Sequence, residues 1–311
     1  MSKYQVRNSV WFMLAESIRI YFSNIDKFFI YMLFPVFGQV IGIILTFALS
    51  LGFAPKIIER VESPSMALLF VLLLALPGLL IFVKAFWEYM VAYVALNSMT
   101  EGAITTGKVY DFQSHNEVAT RRTWTYVLFL CVVGALSGLV SNIFLMVPGF
   151  ILWIYFILVF QIFTFEPDLQ IHEYFKKSFN LIKGHWFRTV LLLGFLWFFS
   201  IYIITVGATV VFDYLNLTDK ICTLINYFTN TIPLDTLNSH LVHFQLQIIT
   251  PRMISEWIFY SILSMIVMGL TLPIRSICWS LWYINLNEVA TTKKNCSSKK
   301  SKKRNNEDYE E

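Results

Sequence analysis

Thr123–Phe165 reads TWTYVLFLCVVGALSGLVSNIFLMVPGFILWIYFILVFQIFTF, 43 residues without one charged side chain. A helix rises about 1.5 Å per residue, so one rod of this length would be roughly twice the ~30 Å hydrocarbon core of a bilayer. The stretch is right for two spans with a tight turn near Asn142–Pro148, at residues 123–142 and 147–166. Working outward, 28 uncharged residues between Lys27 and Lys56 supply a first span at 28–53. A second begins at Met66 after the Glu62-Ser-Pro-Ser turn and runs over 66–97. Towards the C-terminus two more follow, at 190–212 and 254–287.

Composition agrees with a chain whose solvent is lipid. Hydrophobic residues make up 57% and charged residues 14%, against about 25% charged in an ordinary soluble domain. Nearly all of the chain is consumed by apolar spans, which excludes a separate soluble core. About 27 residues of mixed charge precede the first span, too many for a signal-peptide n-region, so that span is expected to stay attached. The four cysteines show no metal-ligand spacing and no paired framework.

Loop charge orients the spans. Four Lys/Arg precede the first span, three lie between the second and third, four between the fourth and fifth, and seven follow the sixth. The alternate loops hold two, none and two. Basic residues collect on the cytoplasmic side, so both termini are expected there, in a cell inner (plasma) membrane.

The chain also repeats itself. ALPGLLIFVKAFWEYMVAYVAL from Ala75, MVPGFILWIYFILVFQIFTFE from Met146 and TLPIRSICWSLWYINLNEVA from Thr271 each place a proline (Pro77, Pro148, Pro273) before an aromatic-rich run. A basic amphipathic stretch precedes each pair of spans: Tyr4–Asn24, Glu117–Trp124 and Glu173–Arg188. In the first, Trp11, Leu14, Ile18 and Phe22 oppose Arg7, Glu16 and Arg19. In the last, Tyr174, Phe175, Phe179 and Ile182 oppose Glu173, Lys176, Lys177, Asn180 and Lys183. Helices of this kind lie in the cytoplasmic interface, where lysines reach anionic headgroups. Ser114 and Glu117 have capping-box spacing. Gly38-x-x-x-Gly42 and Gly134-x-x-x-Gly138 are expected to let helix backbones approach closely.

EYFKKSFNLIKGHWFRTV (Glu173–Val190), after Pro148 and Gly149, resembles the signature of a broad bacterial and archaeal group of membrane domains. That group includes the membrane domain of glycerophosphoryl diester phosphodiesterases and related uncharacterised six-span inner-membrane families. The matching positions are Ser178, Phe179, Leu181, Lys183, Gly184 and Trp186. The last span is similar too, with Pro273 ahead of LWYINLNE; Tyr283 is kept, but Asn285 and Asn287 stand where the family shows Asp and Arg. The resemblance implies a six-helix membrane domain. It does not imply phosphodiesterase activity, which belongs to a separate soluble barrel that these residues do not include.

Ionisable residues at membrane depth are candidate sites: Lys84 and Glu88, four residues apart in the second span, and Arg275 in the sixth. A Lys84–Glu88 or Glu88–Arg275 bridge is one reading, a transport path the other. His240 and His243 lack the further ligands a metal site needs. No glycine-rich phosphate loop, zinc-protease histidine pair or nucleophile elbow occurs. No catalytic, cofactor or metal residues are therefore assigned. The long loop Asp213–Arg252 has room for one or two short interfacial helices.

These readings converge on an all-α integral membrane protein. Six transmembrane helices form three hairpin-like repeats with cytoplasmic interfacial amphipathic helices over residues 1–290, and a disordered tail, basic then acidic, covers 291–311. The expected partners are membrane lipids, with anionic headgroups at Lys176, Lys177, Lys183 and residues 293–304. Nucleic acid is not expected, since the tail lacks stacking aromatics. The expected role is a non-enzymatic, lipid-interacting scaffold in envelope homeostasis; the alternative is a small-solute or lipid transporter. Orientation is testable at Cys296 with Cys131, Cys222 and Cys278 replaced by alanine. A membrane-impermeant maleimide should label Cys296 in inverted vesicles and spare it in right-side-out ones.

Overall fold

The computed structural model describes residues 9–307, apart from 62, 108, 110–111, 231–233, 235–237, 240–241 and 244–246, and apart from the side chains of 51, 55, 58 and 292–307. All regular elements among the described residues are helical. They are α1 (Val10–Ser23), α2 (Ile25–Arg60), α3 (Pro64–Thr105), α4 (Phe112–Thr120), α5 (Thr123–Ser141), α6 (Met146–Tyr155), α7 (Val159–Phe165), α8 (Ile171–Ile182) and α9 (Trp186–Phe198). A π-helical segment, Phe199–Thr205, leads into α10 (Val206–Tyr214), followed by α11 (Leu217–Thr229), α12 (Pro251–Leu270) and α13 (Leu272–Glu307). Six helical stretches are long and apolar enough to cross a membrane: Ile25–Ala54, Pro64–Thr105, Thr123–Ser141, Met146–Phe165, Trp186–Tyr214 and Pro251–Leu270.

The number of spans agrees with the sequence reading; their continuity does not. The helix expected over 254–287 stops at Leu270 and restarts at Leu272. Pro273 has no amide hydrogen to donate and its ring crowds the preceding turn. The Thr271 hydroxyl donates to Val267 O at 2.9 Å, closing the end of α12. Pro148 likewise stands in the first turn of α6, whereas Pro77 lies well inside an unbroken α3. The fourth span is interrupted between Tyr155 and Val159. The last helix runs on to Glu307, where a disordered tail is expected. Extending an existing helix needs no new nucleus, and lysine and glutamate are good helix formers.

The chain divides into two compact units. One comprises Met1–Phe29, Val91–Leu196 and Leu272–Glu311; the other comprises Ile30–Met90 and Trp197–Thr271. In the second unit, α2 meets α3 through glycine. A Cβ added at Gly38 would stand 2.8 Å from the Cβ of Ala85, and one at Gly42 would stand 2.6 Å from the backbone nitrogen of Phe82. A Cβ at Gly78 would meet Thr46 of α2. With no side-chain layer between them, the backbones gain dispersion contact that bulkier residues would forbid. In the same unit, α11 fills part of the long loop and packs Cys222 against Phe259, Leu263 and Val267 of α12. Thr229 and Ser255 share a 2.9 Å hydrogen bond, and Arg252 pairs with Asp219 at 2.6 Å and Glu256 at 2.8 Å. Burial pushes the Cys222 thiol pKa up, so it stays a neutral core side chain.

In the first unit, α1 packs through the middle of the helix. Met13, Glu16, Ser17, Ile20 and Tyr21 are buried, while Trp11 and Phe22 are 63% and 61% exposed. Apolar side chains lose nothing by facing hydrocarbon, and polar ones gain by facing protein partners. Glu16 sits 3.6 Å from Arg19, and the Ser17 hydroxyl donates to Leu14 O. Ser114 lies inside α4 and caps nothing; Glu117 bonds Arg121 at 2.6 Å instead. Gly149 closes on Leu139 and Val140, whereas a Cβ at Gly134 or Gly138 would meet no atom within 4 Å. Of the two glycine motifs, only the one in α2 packs.

The contrast can be measured. Gly42→Leu should lower the thermal stability of the detergent-solubilised protein, by about 1–3 kcal/mol or more, and Gly138→Leu should leave it unchanged. Equal losses would contradict the packing described.

Candidate functional site

Within the first unit, α7 and the turn after it are where polar side chains converge. The interruption between Tyr155 and Val159 leaves the Tyr155 carbonyl outside the helical ladder, and the fully buried Ser178 hydroxyl of α8 donates to it at 2.7 Å. An unpaired carbonyl at such a site would cost on the order of 1–3 kcal/mol. At the other end of α7, Arg122 donates to Phe163 O at 2.9 Å, to Pro167 O at 2.7 Å and to the Tyr174 hydroxyl at 2.9 Å. Its guanidinium lies 4.0 Å over the Phe163 ring. The last carbonyls of a helix carry partial negative charge, so a cation is favoured there. Burial raises the Tyr174 pKa and the Arg122 charge partly offsets this, so the phenol stays protonated and donates to Pro167 O at 3.1 Å.

Glu166, next after α7, accepts from the Tyr283 hydroxyl at 2.5 Å and pairs with Lys177. One carboxylate thereby ties α7, α8 and α13. Deeper in the unit is a neutral cluster. The Asn97 side-chain oxygen, fully buried at the C-terminal part of α3, accepts from Ser276 at 2.6 Å, Ser280 at 3.2 Å and Gln161 at 3.5 Å. These four side chains come from α3, α7 and α13, so the cluster fixes the rotation of three helices at once. Nearby, the Trp282 indole donates to the Thr189 hydroxyl at 3.2 Å. The arrangement supplies hydrogen bonding and charge neutralisation between helices.

The residues singled out from sequence fall in three places. Ser178, Phe179, Leu181, Lys183, Gly184 and Trp186 form one helix–turn–helix. Ser178 reaches Tyr155 O; Phe179 lies on the Tyr155 ring at 4.5 Å; Leu181 is buried. Lys183 ends α8, Gly184 takes a φ of +90° that other residues avoid, and Trp186 opens α9. Lys176 and Lys183 are exposed, whereas Lys177 is half-buried on Glu166. The side chains of 293–304 and residue His240 lie outside the described part.

Lys84 and Glu88 belong to one unit and Arg275 to the other. Lys84 is exposed with its ammonium 5.6 Å over the Phe34 ring, and no Lys84–Glu88 ion pair forms. Arg275 is half-buried in the first turn of α13. No group of three or more His, Cys, Asp or Glu arranged for a metal occurs among the described residues. Sequence reading passed over Asn97, Gln161 and Glu166, because the search for membrane-depth sites followed charge, which the two amides lack, and Glu166 marks a span's end. The signal that was present is the i,i+4 spacing of Ser276 and Ser280, which sets both hydroxyls on one helix face.

Asn97→Ala should lower stability by about 2–3 kcal/mol, because it strands three buried donors, whereas Ser280→Ala should cost under about 1 kcal/mol. Thermal or denaturant unfolding in detergent reads both; equal effects would remove Asn97 from the centre of the cluster. No family model, curated protein or solved structure matches the chain.

Proposed function

We propose that this protein is a non-enzymatic, multi-pass component of the cell inner membrane, acting as a lipid-interacting scaffold in envelope homeostasis with both termini in the cytoplasm. The observation that carries the reading is how the interior polar groups of the first unit are used. The Asn97 side-chain oxygen accepts from Ser276, Ser280 and Gln161, and the Glu166 carboxylate from Lys177 and Tyr283. Bonds of this kind between helices supply what a scaffold needs, a fixed packing of α3, α7, α8 and α13. Exposed apolar residues on α1 and α5, Trp11, Phe22, Trp124 and Leu128 among them, give lipid a large contact surface.

The architecture we propose is three repeats, each a short helix followed by two spans. The short helices α1, α4 and α8 stand ahead of their pairs in that order, and the likeness of Glu173–Val190 to the six-span membrane-domain group supports the same arrangement. In this reading α1, α4 and α8 lie at the cytoplasmic interface, with Lys176 and Lys183 towards anionic headgroups.

A second reading, transport of a small solute or lipid, draws on the helix interruptions at Phe156–Leu158 and Thr271. Transporters build binding sites at broken helices. The pockets beside Arg122 and beside Trp257 and Met268 include none of Lys84, Glu88 and Arg275. Native mass spectrometry of protein purified from its own membrane, with and without Arg275→Leu, separates the two. The scaffold predicts phospholipid adducts that are the same in both proteins. A solute held by the wild type and lost in the variant would replace it with transport.

A further inference from the structure

Arg122 is a cation with only neutral partners. Its hydrogen bonds go to two backbone carbonyls and a phenol, and its face to a phenyl ring. Among the described residues no carboxylate lies within ion-pair distance of it. The nearest candidates are engaged or turned aside: Glu166 pairs with Lys177 and Tyr283, and Glu173 accepts from the backbone nitrogen of Gln170 at 2.8 Å. Asp168, exposed in the turn, is the remaining acid. A guanidinium has five N–H donors in a rigid fork, and three are used here. The other two are held in a fixed place by the first three, so the ordering an anion normally imposes is already done.

Arg122 also lines a cavity of about 440 Å³, together with Thr125, Leu169, Gln170, His172 and Tyr174. Its lining combines polar side chains, Arg122, Thr125, Gln170, His172 and Tyr174, with the apolar Leu169. That lining includes Gln170, Ile171 and His172 at the start of α8, whose first turn carries the Glu173 carboxylate engaged with the Gln170 backbone nitrogen. Its depth follows from the chain. Arg122 immediately precedes the span Thr123–Ser141, and Pro167–Gln170 closely follows the span Met146–Phe165. The cavity therefore sits where hydrocarbon gives way to headgroups.

We propose that this cavity binds the phosphate of a membrane phospholipid, with the Arg122 guanidinium as its principal ligand, His172, Gln170 and Thr125 around it, and the glycerol end against Leu169. The inference rests on the lipid-interacting reading above and gives it a particular site, one distinct from the exposed lysines Lys176 and Lys183. Free phosphate shares the recognising chemistry; the level of the cavity favours the lipid.

The test uses the full chain in neutral detergent, titrated with phosphatidylglycerol and read by native mass spectrometry, with inorganic phosphate as a parallel probe. Thr125→Trp fills the cavity while leaving the Arg122 clamp in place, and should weaken phosphatidylglycerol retention about tenfold or more, as should Arg122→Gln where it folds. Lys176→Gln/Lys183→Gln should retain the lipid. Wild-type retention in Thr125→Trp would overturn the site, as would loss confined to the double lysine variant, which leaves the lipid-interacting reading standing. Millimolar inorganic phosphate displacing the lipid and raising thermal stability would overturn it in favour of a free-anion site. A wild-type chain that retains no phospholipid at all would sink both readings.

Discussion

Hydrocarbon offers no hydrogen bonds, so each interruption of a span must be closed by the protein itself. Much of the first unit is organised around this requirement at α7. Where the fourth span breaks, the Tyr155 carbonyl is taken up by Ser178; where it ends, the carbonyls of Phe163 and Pro167 are taken up by Arg122. Both donors come from other elements, α8 and the residue before α5. The closing bonds are therefore tertiary bonds: the break before α7 holds α8, and the end of α7 holds the start of α5. Glu166 adds α13 to the same corner through Tyr283.

The same constraint explains why polar residues face inward in a chain that is mostly apolar. Glu16 and Ser17 are buried while Trp11 and Phe22 on the same helix are exposed. Asn97 is wholly buried and its oxygen gathers three donors. Amphipathic patterning shows that a helix has two unlike faces; which one turns inward depends on whether the other meets water or lipid. Of the apolar stripe Trp11, Leu14, Ile18 and Phe22, the two ends are exposed and the two middle residues are half-buried.

The six apolar stretches were legible because span length and hydropathy are local properties of the chain. The turn ahead of Pro148 was legible, whereas the break at Thr271 was read through as one span despite Pro273, and the interruptions without proline, at Phe156–Leu158 and in the π-helical segment Phe199–Thr205, left no signal. The glycine motifs show a further limit. Gly38 and Gly42 pack against α3, Gly134 and Gly138 against nothing within 4 Å, and their spacing is identical. Spacing states that close approach is permitted, and only the partner's surface settles whether it happens. The polar cluster was hidden for a similar reason: Asn97, Gln161 and Ser280 are far apart in sequence, and each alone is unremarkable within its helix.

The glycine contact between α2 and α3 bears on how the protein is assembled. Each of these helices is apolar enough to rest in a bilayer before meeting the other, and only Val61–Ser63 separates them. Lipid tails are as apolar as these surfaces, so no hydrophobic gain draws the pair together. What draws them together is shape: Gly38 and Gly42 on α2 and Gly78 on α3 let the two backbones touch, so close packing rather than escape from water is what this hairpin has to hold it once both helices lie in hydrocarbon.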